Sequence, residues 1–278
     1  MLTAINHTPR VAAIQMVSGD RVEQNLQSAA NLIASAVATG AQIVVLPENF
    51  AVLSADAQAK VGLAETPGAG PIQQFLLDQA RKHGIYLVGG TIPLAAKTPG
   101  KVRAACLIIG PDGDILGRYD KIHLFDVALG SGNEQYNESA TIEPGEQSCV
   151  IDTPWGKLGV AICYDIRFPE LFRRMMLEGA QIVALPSAFT ATTGRAHWEI
   201  LLRARAIENQ CYLIAPDQGA SRQRSRQTWG HSMIVSPWGD ILAELEEQGS
   251  GVATTEISLQ KLERLREKFP ALEHCRTL

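Results

Sequence analysis

The sequence predicts one α/β domain, a four-layer α-β-β-α sandwich built from an internally duplicated α/β unit. Three observations lead there. Short apolar runs alternate with segments of helical periodicity along most of the chain. The same segments recur in the same order in both halves. Each half, as a sheet with helices on one side, keeps a bare apolar face that the other half can cover. A single long sheet covered on both faces is the less favoured arrangement.

Val11–Met16 reads as a first strand. Asp20–Thr39 carries Val22, Leu26, Ala29, Ile33, Ala36 and Val37 at helical spacing, with Gly40 as a stop. Gln42–Leu46 is a β-branched strand ended by Pro47 and followed at once by Glu48. Pro71–His83 is helical, with Ile72, Phe75, Leu76 and Ala80 on one side and Gly84 after it. Ile85–Gly90 is another strand. Arg103–Ile109 and Asp114–Arg118 flank Pro111–Gly113, a hairpin signal. Lys121–Gly145 has little periodicity and reads as a long functional loop or lid. Leu158, Val160, Ala161 and Ile162 form a buried strand that stops at Cys163. Pro169 then suits a first helical position, and Leu171, Phe172, Met175 and Met176 give that helix an apolar face. Ser258–Phe269 has Leu259, Leu262 and Leu265 at helical spacing, a terminal helix on the surface or on a second subunit.

The duplication is visible residue by residue. Ala41-Gln-Ile-Val-Val-Leu-Pro-Glu-Asn-Phe50 is matched by Ala180-Gln-Ile-Val-Ala-Leu-Pro-Ser-Ala-Phe189, each after a glycine. Pro71–Gly89 is echoed by Ala196–Ala215, and Pro111–Leu116 by Pro237–Leu242. Val11–Ile14 would then correspond to Val160–Cys163. Such pseudo-symmetry brings strand ends from different repeats to one crevice, where reactive groups gather.

Composition narrows the function. A net charge of −4 gives no reason to expect nucleic acid or a membrane surface as partner. No apolar run is long enough to span a bilayer, and Met1–Arg10 lacks a signal-peptide core, so the expected location is cytoplasmic. The five cysteines are widely spaced and include no Cys-x-x-Cys pair, which points to reduced thiols. The six histidines do not cluster with acids at ligand spacing, so no metal and no cofactor is expected.

Cys163 sits in a strand-to-helix turn, a place that holds a nucleophile beside backbone N–H groups. A lone cysteine there is more often structural, so partners must be found. Glu48 directly follows a buried strand, where an acid is costly unless paired or functional. Lys121 lies just before the long loop, and Glu138 lies within it. Each alone reads as a solvated charge. Together they supply what acyl transfer needs. Glu48 can take the thiol proton, while a charged Lys121 lowers the thiol pKa and, with the Tyr164 N–H, can hold an oxyanion. Arg167 suits a substrate carboxylate, or equally an ion pair with Glu170 or another acid. His123, His197 and His231 read as structural. Arg222, Arg224 and Arg226 read as a solvated turn, with contact to an anionic substrate or neighbouring subunit as a minor reading.

Leu-Pro-Glu48, Lys121-Ile-His-Leu-Phe and Cys163-Tyr-Asp-Ile-Arg-Phe-Pro-Glu, in this order, resemble the nitrilase superfamily of carbon–nitrogen hydrolases from Val11 to about His274. The resemblance implies the four-layer sandwich as a single domain over residues 1–278, with a C-terminal helix and tail from about residue 258. It implies a triad of Glu48, Lys121 and Cys163, with Glu138 as a second glutamate that orients the lysine. It also implies a homodimer or larger assembly. Pro186-Ser-Ala-Phe-Thr190, with Phe189 and Thr190 as candidate substrate contacts, and Trp229–Gly239 resemble the Nit branch, which acts on deaminated glutathione and, as ω-amidases, on 2-oxoglutaramate. The implied function is a cofactor-independent thiol amidase for a small 2-oxo acid amide. Nitrilase, carbamoylase and, from another class, a non-catalytic small-molecule binder are the alternatives. The family pattern after Phe125-Asp-Val is replaced here by Ala128-Leu-Gly-Ser-Gly-Asn-Glu-Gln-Tyr136, which alters the loop beside the site.

Overall fold

The structure, a computed structural model, describes residues 8–129, 134–220 and 227–276. The first half runs β1 (Arg10–Gln15), α1 (Val22–Ala38), β2 (Ile43–Val45), α2 (Gln58–Gly62), α3 (Pro71–His83), β3 (Tyr86–Val88), β4 (Ile92–Ala95), β5 (Val102–Ile109) and β6 (Ile115–Asp120). A hairpin of β7 (Asp126–Leu129) and β8 (Glu134–Asn137) follows, ending in a 3-10 turn at Glu138–Ala140. The second half runs β9 (Cys149–Thr153), β10 (Gly156–Val160), a 3-10 turn at Cys163–Arg167, α4 (Pro169–Leu177), β11 (Ile182–Ala184), α5 (Ala191–Asn209), β12 (Tyr212–Ala215), β13 (Met233–Val235) and β14 (Ile241–Glu244). β15 (Gly251–Glu256) and α6 (Leu259–Lys268) close the chain.

Two sheets form the middle layers. One has the order β15-β1-β2-β3-β5-β4, with β6 also on β5; the other has the order β14-β13-β12-β11-β10-β9. β1, β2 and β3 are mutually parallel, as are β10, β11 and β12. An antiparallel strand flanks each trio on both sides. Even the turns repeat. β5–β6 and β13–β14 each carry a register irregularity beside a turn whose glycine, Gly113 or Gly239, has positive φ. The two halves are therefore one unit used twice, as the sequence repeats require.

One detail of the repeat differs from the sequence expectation. Val11 lies opposite Ile43, and Leu158 opposite Ile182. Val11–Ile14 therefore corresponds to Leu158–Ala161, two residues before the expected match, and Met16 occupies the place of Cys163. A two-residue slip keeps every side chain on its face, which is why apolar pattern alone does not detect it.

Strand parity builds the layers. Ala12, Ile14, Val44, Leu46, Leu87, Leu107 and Ile109 face α1 and α3, meeting Ala29, Ile33, Ile72, Leu76 and Ala80. Their neighbours Val11, Ala13, Ile43, Val45, Val88, Cys106 and Ile108 face the second sheet, against Leu158, Val160, Ile214 and Ile234 among others. Behind that sheet lie α4 and α5, anchored by Phe172, Met175, Trp198 and Leu202. Helix α6 packs on its own chain. Leu259 and Leu262 are buried, and Arg266 donates to the Gln210 carbonyl at 2.8 Å.

Several elements go beyond the sequence reading. Lys121–Gly145 is not an irregular loop throughout, because it contains the β7–β8 hairpin. Helix α5 starts at Ala191, so His197 lies in its second turn rather than opening it. Strands β4, β9, β13 and β15 and helix α2 were not read from the sequence. No helix of the described residues is long and apolar enough to cross a membrane.

Gly90 fixes the strand end that carries Glu48. Its φ is 58°, and a Cβ there would meet the Pro47 carbonyl oxygen at 2.2 Å. Gly68 has φ 84° with open space around it. Gly68→Ala is expected to cost about 1–2 kcal/mol, the left-handed backbone penalty alone. Gly90→Ala is expected to cost clearly more, because backbone must also move. Urea denaturation of both variants checks this, and equal costs would show that the Pro47 contact is slack.

Candidate active site

Four strand ends deliver the reactive side chains to one place. Glu48 follows β2 after Pro47, Lys121 follows β6, Glu138 follows β8, and Cys163 opens the 3-10 turn beyond β10. Cys163 has φ 46°, in the left-handed region that non-glycine residues seldom occupy. Its N–H donates to the Pro186 carbonyl at 3.0 Å, which ties the turn to the end of β11. Asn49, next to Glu48, has φ 60°, and its N–H donates to Thr91 Oγ1 at 2.8 Å. Backbone strain thus falls on both sides of the crevice.

Lys121 is buried between two carboxylates. Its Nζ donates to Glu48 Oε1 at 2.7 Å and to both oxygens of Glu138 at 2.9 Å. Glu138 is fixed in turn by the Phe125 N–H at 2.8 Å. Burial works against the ammonium, yet Glu138 and Glu48 outweigh it and hold the Lys121 pKa well above the usual range. Burial alone would raise Glu138; Lys121 reverses that and brings its carboxyl below the usual range. Lys121 is therefore a cation at any physiological pH and no candidate for a base.

The thiol behaves in the opposite sense. Burial and then the Glu48 charge push the Cys163 pKa well up, and Lys121 and the N–H of Ala188 offset this only in part. The sequence reading expected Lys121 to lower the thiol pKa. Its contribution has that sign, but the net shift is upward, so the resting group is a thiol and its proton needs a base.

All eight residues singled out from the sequence line one cavity of about 300 Å³: Glu48, Lys121, Glu138, Cys163, Tyr164, Arg167, Phe189 and Thr190. Tyr164 follows Cys163 at the N-terminal end of the 3-10 turn, where N–H groups point outward. The Arg167 guanidinium lies over the rings of Phe189, at 5.6 Å, and Tyr164, at 5.8 Å. It contacts His197 Nδ1 at 3.3 Å and makes no ion pair with Glu170 or another acid among the described residues. Thr190 has a structural task as well, capping α5 by accepting the Thr193 N–H. Arg222, Arg224 and Arg226 lie outside the described residues.

Other contributors were not singled out from the sequence. Asp165 is fully buried and accepts from Tyr119 Oη, the Ile162 N–H, the His123 N–H and His123 Nδ1. Gln218 donates to the Glu48 carbonyl at 3.0 Å, and Asp217 accepts the Phe189 N–H at 2.8 Å. Lys60, on α2, lines the cavity and adds positive potential at Glu138. A buried acid two residues after the cysteine was a readable signal for Asp165; nothing local marks Gln218 or Lys60. His123 and His231 are hydrogen-bonded to acids, Asp165 and Glu244, as structural histidines are. Among the described residues, no three His, Cys, Asp or Glu side chains gather so as to hold a metal ion.

The chain matches the carbon–nitrogen hydrolase family over residues 10–267. It is 40% identical over 267 residues to the deaminated glutathione amidase of Yersinia enterocolitica, covering 96% of this chain and 92% of that one. It is 40% identical over 261 residues to an ω-amidase of Xenopus laevis, covering 94% and 92%. The crystal structure of the C. elegans NitFhit protein superposes with a TM-score of 0.87 at 39% identity, over 97% of this chain and 65% of that longer chain. The fold, the convergence of the strand ends and these likenesses agree: the chain is an amidase and belongs to the carbon–nitrogen hydrolase family.

Proposed function

We propose that this amidase hydrolyses a small 2-oxo acid amide through a Cys163 thioester, with deaminated glutathione as the substrate that fits best. The observation that carries the reading is the placement of Cys163, Glu48 and Lys121 in one cavity that also presents Arg167 and Lys60. Lys121 is committed to Glu48 and Glu138, so a substrate carboxylate falls to Arg167. Deaminated glutathione carries two carboxylates and 2-oxoglutaramate one. The likeness to deaminated glutathione amidases favours the former, although an ω-amidase is among the relatives.

The placement of these groups supports the following steps. Glu48 takes the thiol proton as sulfur adds to the amide carbonyl. The oxyanion forms against the Lys121 ammonium and the Tyr164 N–H. The C–N bond breaks as Glu48 returns the proton to the departing nitrogen, leaving the acyl group on sulfur. Water then gives its proton to Glu48 and adds to the thioester. Sulfur leaves and recovers its proton. Glu138 holds Lys121 in place throughout, and no cofactor enters.

A panel of 2-oxo amides, simple amides and nitriles tests the substrate. Deaminated glutathione should give the highest kcat/KM, and Cys163→Ala should abolish turnover while remaining folded. Arg167→Met should raise KM for the anionic amides by about 10-fold or more, the worth of a charged hydrogen bond. A preferred uncharged amide would overturn the substrate assignment.

The base assignment has its own signature. Glu48→Gln removes a charge that raises the thiol pKa, so the pH at which iodoacetamide alkylates Cys163 should shift downward. Turnover should nonetheless fall by about 100- to 10,000-fold, the usual contribution of general base catalysis. A more reactive thiol in a less active enzyme separates the base from a mere neighbour, and unchanged turnover would exclude Glu48 as the base.

We also read the protein as a cytoplasmic homo-oligomer. Leu177 on α4 and Ile200 and Ile207 on α5 are exposed on the outer layer, which supports an interface there. Sedimentation velocity should give at least twice the protomer mass, and Ile207→Glu should lower it. A monomer at micromolar concentration would rule the assembly out.

A further inference from the structure

The Asp165 carboxylate receives four hydrogen bonds whose origins are not scattered. Tyr119 Oη donates to Oδ2 at 2.7 Å. The His123 N–H donates to Oδ1 at 3.0 Å, and His123 Nδ1 lies 2.7 Å from the same oxygen. Tyr119 and His123 stand two residues before and two residues after Lys121. The fourth donor is the Ile162 N–H, at 2.8 Å from Oδ2, on the residue immediately before Cys163. Asp165 itself lies two residues after Cys163, and its N–H returns a bond to the Ile162 carbonyl at 3.0 Å.

One buried carboxylate thus grips the segment that carries Lys121 on both flanks and the turn that carries Cys163 on both flanks. These segments belong to different sheets, β6 to one and β10 to the other. Lys121 is also bonded to Glu48 and Glu138, and Cys163 occupies a strained backbone conformation that the turn must hold. Burial and the Asp165 charge raise the Tyr119 pKa, which keeps its hydroxyl a donor. The His123 ring is stacked on Phe168 at 3.6 Å and 6°, which fixes the direction of Nδ1.

We propose that Asp165, held by Tyr119 and His123, is the positioning residue that sets the Lys121 ammonium against the Cys163 sulfur for acylation. Asp165 touches neither substrate nor sulfur; it acts through Lys121 and the turn. The proposal rests on the clamp role given to Lys121 above.

A double-mutant cycle tests it, because a residue acting through Lys121 loses its effect once Lys121 is gone. Tyr119→Phe removes one grip with little change of volume. Single-turnover acylation should slow by about 10-fold, the loss expected for one hydrogen bond to a charge, with KM changed much less. His123→Ala should do the same, and His123→Asn, which can keep a donor toward Oδ1, should recover most of the rate. In the Lys121→Met background, Tyr119→Phe should slow acylation further by less than about 2-fold, as a fully coupled pair requires. The same 10-fold loss in both backgrounds would overturn the proposal, as would a fall in thermal stability with kcat unchanged. Lys121→Met alone reports separately on the clamp. If it acylates at the wild-type rate, the mechanism above fails, whatever the cycle gives. Asp165→Asn turns a donor toward donors and is expected to unfold the turn, so the flanking variants carry the test.

Discussion

A buried ammonium held by two carboxylates is the constraint around which this molecule is arranged. Removing three charges from water is costly, and the attraction among them compensates only when the geometry is good and the remaining lone pairs are used. Here they are used: Glu48 and Glu138 both close on Lys121, and Glu138 also accepts the Phe125 N–H. The three side chains come from the ends of β2, β6 and β8, so the cluster also locks those ends together. Two negative charges against one positive leave the cluster anionic, and that residue of negative charge reaches the thiol. It is one reason why Cys163 rests protonated although a lysine is nearby.

Duplication explains why there is one such site and not two. The repeat puts Ser187 where Glu48 stands and Met16 where Cys163 stands. A serine and a thioether cannot make an acid–thiol pair, and the space between them serves structure instead. Gln15 donates to the Glu246 carbonyl and accepts from Ser232, and Gln218 bridges Ser18 to the Glu48 carbonyl. These bonds fill the repeat-related crevice, and the Gln218 bond ties it to the strand end that carries Glu48. The first repeat and the hairpin after it supply the charges and the second repeat supplies the nucleophile, so the chemistry depends on both sheets holding register with each other.

The architecture was legible because duplication is a sequence-level signal. The Gln-Ile-Val-x-Leu-Pro match between the halves and the paired Pro-x-Gly turns fixed the order of elements before any contact was known. The reactive residues were legible for a related reason. Glu48 and Cys163 each end an apolar strand, and a polar group there is expensive unless it has work to do. What stayed hidden depends on contacts far along the chain. Strands β9 and β15 are largely half-exposed, so their partners β10 and β1 define them. Lys60 sits on a five-residue helix with no buried residue and looks like any surface lysine until the cavity is drawn. The thiol pKa failed for a different reason. Counting one cation against one thiol gives the right sign for that pair, but burial and the second charge decide the sum.

A protonated resting thiol changes how the site works. An enzyme that kept a permanent thiolate would be open to oxidants and to any electrophile that entered. In this cavity the sulfur becomes anionic only as its proton moves, and the proton moves only when an electrophilic carbon is close enough to accept the electron pair. The Lys121 ammonium contributes at that moment more than before it, because the charge it faces grows from a neutral thiol to an oxyanion. The same ammonium that is fixed by Glu48 and Glu138 in the resting state is thus in place for the transition state without rearrangement. Rigidity of the ion cluster is what makes a poorly acidic cysteine usable, since the field it needs is already built when substrate arrives.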